Sequence, residues 1–92
     1  MSNKTALVTG ASDGIGLEFC KILAAKGYDI ILVARRKTKL NELAKSLSKH
    51  HKNISCTVIS SDLSKPQAAQ KLFAATVKKD LQVDLLINNA GL

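Results

Sequence analysis

The sequence predicts an α/β fold, a parallel β-sheet covered by helices, and three observations lead there. Four runs of apolar residues are each too short for a helix and read as strands buried on both faces. Three stretches between them carry apolar residues at helical spacing. The two kinds of segment alternate in the order βαβαβαβ along the 92 residues, and such alternation builds a parallel sheet with helices packed on it.

The first strand, β1, is TALVTG (5–10). Ile15, Phe19, Ile22 and Leu23 then fall at i, i+4, i+7 and i+8. They predict a helix, α1, that buries this face, runs to about Lys26 and stops at Gly27. YDIILVA (28–34) is β2. Leu40, Leu43, Ala44 and Leu47 mark an amphipathic α2 over roughly 37–50, and the β-branched run ISCTVIS (54–60) is β3. Ser64 with Gln67 three residues on has the form of a capping box, and Pro66 suits a first turn. It predicts α3 from about 65 to 79, burying Ala69, Leu72, Phe73 and Thr76. VDLLIN (83–88) is β4. Right-handed crossovers then give the strand order 3-2-1-4, with α1 and α2 on one face and α3 on the other. This is a doubly wound, Rossmann-type sheet, incomplete as it stands. Its ligand belongs beyond the C-terminal strand ends, where the order reverses between β1 and β4.

Composition sets the limits. Hydrophobic residues are 46% and charged residues 23%, a globular balance that argues against disorder. Residues 1–92 read as one partial domain with no internal linker or repeat. No apolar run approaches the ~20 residues of a membrane span. The N-terminus MSNKTALVTG is too short in its apolar part for a secretory signal, so a cytoplasmic protein is expected. Cys20 and Cys56 lack metal-ligand spacing and read as two buried, reduced thiols. No metal site is expected, and His50 and His51 read as surface residues. The net charge of +7 concentrates in RRKTKLNELAKSLSKHHK (35–52), with seven Lys/Arg and one acid, Glu42. With aromatic residues at 3% there is no stacking platform, so nucleic acid is not an expected partner. Most of these cations should decorate the solvent face of α2.

Three of the five glycines, Gly10, Gly14 and Gly16, cluster where β1 meets α1. Alone they fit a structural tight turn. Inside a βαβ unit they also fit a phosphate site, because a helix N-terminus offers unpaired N–H groups and partial positive charge.

TGASDGIG (9–16), SDL (61–63) and NNAG (88–91) together resemble the short-chain dehydrogenase/reductase family, in the right order and spacing over the whole chain. The resemblance implies that Gly10, Ser12, Asp13, Gly14, Ile15 and Gly16 line the pyrophosphate and ribose turn. It implies that Asp62 bonds the adenine amine beside the Leu63 backbone, and that Asn89, Ala90 and Gly91 run along the adenosine ribose. Asn88 is expected to tie strands together. Relatives that prefer NAD carry an acid at the end of β2; here that position is Ala34, followed by Arg35 and Arg36. A guanidinium pair without the acid favours NADP(H). Asp13 runs against this, since many NADP-binding relatives have a basic residue there.

The family transfers hydride between cofactor and a carbonyl or alcohol carbon, using Ser, Tyr and Lys beyond the NNAG motif. Here the only Tyr is Tyr28, with Leu32 four residues on. No catalytic residue is therefore expected within these 92 residues. The chain reads as a fragment, the N-terminal cofactor-binding portion of an NADP(H)-dependent oxidoreductase acting on a small-molecule carbonyl or alcohol. The family's oligomers form through elements outside it. The competing reading is a non-catalytic nucleotide-binding or interaction module that pairs through an exposed β4 edge.

Overall fold

The computed structural model describes residues 3–89. Its elements are β1 (Thr5–Thr9), α1 (Gly14–Ala25), β2 (Asp29–Ala34), α2 (Lys37–His50), β3 (Cys56–Ser60), α3 (Ala68–Lys78) and β4 (Leu85–Asn88). The four strands form one parallel sheet in the order β3-β2-β1-β4. Ala90 and Gly91, two of the expected cofactor residues, lie outside the described residues.

Period-two alternation explains why the strand sequences are apolar throughout. Ala6, Val8, Ile30 and Leu32 face one side, where Cys20, Leu23 and Ala24 of α1 and Leu40 and Leu47 of α2 cover them. Leu7, Ile31, Val33 and Ile59 face the other side, under Leu72 and Ala75 of α3. The register puts Thr9 opposite both Val33 and Asn88, so all the C-terminal strand ends meet at one edge.

The ends of the helices follow local chemistry. Gly27 takes φ 88°, and the N–H groups of Gly27 and Tyr28 bond the carbonyls of Ala24 and Leu23. That pair of bonds is a Schellman stop, which needs a left-handed residue after the helix. α3 ends the same way without glycine: Asp80 has φ 56°, and the Asp80 and Leu81 N–H groups bond Val77 and Thr76.

Two expectations about helices need correction. α3 starts at Ala68, not 65, and the Ser64–Gln67 capping box does not form. Gln67 sits at the helix N-cap in left-handed backbone (φ 63°) with no side-chain cap bond, while Ser64 turns back to Asp62. The buried faces are also rotated. α1 buries Gly16, Cys20, Leu23 and Ala24, leaving Ile15 65% and Ile22 52% exposed. α3 buries Ala68 and Thr76, leaving Phe73 70% exposed.

Candidate functional site

A cavity of about 580 Å³ opens beyond the C-terminal ends of β1, β2 and β3. Its walls come from three turns: Gly10, Ser12 and Asp13 after β1, Arg35 and Arg36 after Ala34 at the end of β2, and Ser61, Asp62, Leu63 and Ser64 after β3. Parallel pairing alone gathers these three turns, which are far apart in sequence, at one edge.

The glycine turn is shaped by close approach. A Cβ on Gly16 would collide with the Gly10 carbonyl oxygen and fall 2.8 Å from Asn89 Nδ2. Only glycine lets α1 start so near the strand end. Gly10 and Gly14 both take left-handed backbone, at φ 65° and 55°, which costs other residues energy. The Asn89 amide props the turn from β4, Nδ2 donating to the Gly10 carbonyl at 3.4 Å. The Asn89 backbone N–H donates to Thr9 Oγ1 at 2.9 Å. The Thr9 hydroxyl in turn faces Asn88 Oδ1 at 3.3 Å and the Ile87 carbonyl at 3.4 Å. Asn88 thus ties β4 to β1 as expected, and Asn89 does so as well.

Asp13 is the N-cap of α1, yet its side chain makes no cap bond to its own helix. Its carboxylate is instead held by Lys39 Nζ at 3.2 Å and by the Ser12 hydroxyl at 3.3 Å. The Lys39 hydrogen bond and charge, with a smaller contribution from Ser12 and Arg36, hold the Asp13 carboxyl below the usual carboxylate value. Asp62 is tied by Ser64, whose hydroxyl (2.6 Å) and N–H (3.0 Å) both donate to Oδ1. Those bonds, with the charges of Arg35 and Lys65, lower its pKa too. Both acids are therefore ionised near neutral pH and act as acceptors. Asp62 Oδ2 has no protein partner among the described residues.

Of the residues singled out in the sequence, Gly10, Ser12, Asp13, Arg35, Arg36, Asp62 and Leu63 line one cavity. Gly14, Ile15, Gly16 and Asn89 border the turn without forming its walls. Val33, Ala34, Ser61 and Ser64 also line it and were not singled out as site residues. Ser64 carried a signal, two residues beyond an Asp, which is the spacing of an Asx turn. Lys39 belongs to the basic run expected on the solvated face of α2; its tie to Asp13 joins the start of α2 to the glycine turn and has no local sequence signature. The two thiols lie away from this cavity. Cys20 is buried and Cys56 half-buried, both unpaired, and burial together with the Cys56 charge pushes the Cys20 thiol up to about 12. Among the described residues no group of His, Cys, Asp and Glu could hold a metal ion.

The model of the short chain dehydrogenase family matches residues 4–92. A very-long-chain 3-oxoacyl-CoA reductase from Coccidioides immitis is 44% identical over 87 residues, covering 95% of this chain and 25% of the relative. One from Meyerozyma guilliermondii is 43% identical over 89 residues, covering 96% and 26%. Among solved structures, L-sorbose reductase from Gluconobacter frateurii, complexed with NADPH and L-sorbose, superposes with a TM-score of 0.89 at 33% identity, over 99% of this chain and 34% of that one. A short-chain dehydrogenase from Sphingobium yanoikuyae in complex with NADPH gives 0.85 at 35%, over 97% and 34%. The chain spans about a quarter of the length of the curated relatives. A family match along almost the whole chain, on a sheet whose three turns converge as this one's do, places the protein in the short chain dehydrogenase family.

Proposed function

We propose that this chain binds NADP(H) and supplies the cofactor-binding part of an oxidoreductase that moves hydride between NADP(H) and a carbonyl or alcohol carbon. One observation carries the reading: Arg35 and Arg36 lie on the cavity wall directly beyond Ala34, where no carboxylate stands. Guanidinium groups bond a 2′-phosphate with charge-assisted hydrogen bonds, and an acid there would repel it. The remaining walls fit the rest of the cofactor. The turn at Gly10 and Gly14 would admit a pyrophosphate to the N-terminus of α1, and the ionised Asp62 carboxylate would accept from the adenine amine. Asn89 would flank the adenosine ribose. The bound nicotinamide supplies the hydride chemistry; the residues described here hold, orient and select.

The solved relatives carry NADPH in this fold, which supports the cofactor. The region shared with the 3-oxoacyl-CoA reductases covers only about a quarter of their length, so the substrate is proposed only as a carbonyl or alcohol. Free thiols at Cys20 and Cys56 support a reducing, cytoplasmic setting. No helix among the described residues is long and apolar enough to cross a membrane.

Titration calorimetry of the protein with NADPH and NADH tests the reading. NADPH should bind about 10- to 100-fold more tightly, the span set by a net gain of one charge-assisted bond of roughly 1.5–3 kcal/mol. Arg35→Ala should remove most of that preference and leave NADH binding in place. Equal affinities in the parent would overturn the assignment.

A further inference from the structure

A carboxylate stands on the rim of a cavity whose proposed ligand is a phosphate. Asp13 lines that cavity together with Arg35 and Arg36, and it does not cap its own helix. Left alone, its charge would oppose the two guanidinium groups. It is not left alone, because Lys39 Nζ lies 3.2 Å from Asp13 Oδ1. The two residues are 26 positions apart, so the pair exists only because the starts of α1 and α2 converge on one strand edge.

The position of Lys39 is costly for its own helix. The N-terminal turn of a helix favours acids and disfavours cations. Here the N-cap is Arg36, the first turn holds Lys37 and Lys39, and it contains no acid. Glu42, three residues along α2 from Lys39, makes no ion pair with it among the described residues. The ammonium group reaches across to Asp13 instead.

We propose that Lys39 is a specificity-determining residue: by pairing with Asp13 it cancels a carboxylate on the rim and so lets this turn accept a 2′-phosphate. The inference rests on the NADP(H) reading above. It explains how an acid in the glycine turn coexists with the Arg35–Arg36 pair. Lys39 acts through Asp13, as a positioning and charge-balancing group.

Binding of NADPH and NADH to the protein and to three variants tests it, at low and at high salt. Lys39→Gln should weaken NADPH about 5- to 10-fold at low salt, with NADH unchanged within about two-fold, and the difference should shrink as salt screens it. Lys39→Arg should keep the parent's selectivity. Adding Asp13→Asn to Lys39→Gln should return NADPH affinity to within about two-fold of the parent, since the charge needing cancellation is gone. A far-UV circular dichroism spectrum and thermal melt matching the parent's report that each variant is folded. The proposal is overturned if Lys39→Gln binds NADPH like the parent, or if the double variant stays as weak as Lys39→Gln. A parent that binds NADPH no better than NADH would instead overturn the cofactor reading itself.

Discussion

Ser64 gives Asp62 two hydrogen bonds on a single carboxylate oxygen, and that small loop sets how the acid titrates. The folded pKa lies below its ordinary 3.8 because Ser64 bonds the charged form, helped by Arg35 and Lys65. Asp13 is lowered likewise, first by Lys39. For a depressed carboxyl the sign is fixed: the unfolded chain takes up the proton first as pH falls. The stabilisation is complete above about 3.8 and disappears as pH falls through the folded values. Replacing Ser64 with Ala should raise the Asp62 pKa toward 3.8, read by NMR titration of the side-chain carboxyl, and should leave Asp13 where it is. An unmoved Asp62 would mean that Ser64 does not set it.

At the scale of the element, α1 carries two apolar stripes, and the packing decides between them. Leu23 is buried against the sheet while Ile22 is 52% exposed. Leu23→Ala should therefore cost about 2–4 kcal/mol and Ile22→Ala under about 1 kcal/mol in a urea melt. Comparable losses would place the wrong stripe on the sheet. The order and type of all seven elements were legible in the sequence, because strand runs and helical spacing are local signals; the start of α3 and the buried face of α1 were not. The close contact of Gly16 with Gly10 sets the sheet side along Gly16, Cys20, Leu23 and Ala24, so of the apolar spacing only Leu23 is buried while Ile15, Phe19 and Ile22 face outward. α3 was legible in part: Thr76 is buried and Leu72 packs on the core as expected, but Phe73 points out. Its capping box failed because the helix starts only at Ala68, beyond Ser64, whose hydroxyl turns back to donate to Asp62. The three turns of the site were legible as motifs; the Asp13–Lys39 tie across 26 residues was not, since it depends on how two helices come to rest on the sheet.

Across the whole molecule the two faces of the sheet are unequally covered. α1 and α2 close over one, and α3 lies on the other with Phe73 70% and Val77 61% exposed. Leu86 of the edge strand β4 is also 59% exposed. Apolar surface of this kind binds hydrophobic dyes and partners. Phe73→Ser together with Val77→Ser should lower anilinonaphthalene sulfonate fluorescence while moving stability by only about 0.5 kcal/mol, as exposed positions do. A large stability loss with unchanged dye binding would mean that these side chains are packed.

β1 is the inner strand beside β4, and it leaves the ribosome well before β4 does. Its neighbour β2 follows soon, but Asn89, which props the Gly10 carbonyl, emerges 79 positions later. Closing so long a loop is slow and entropically costly. The nascent polypeptide therefore completes its phosphate-ready turn only after the guanidinium pair has already been laid down.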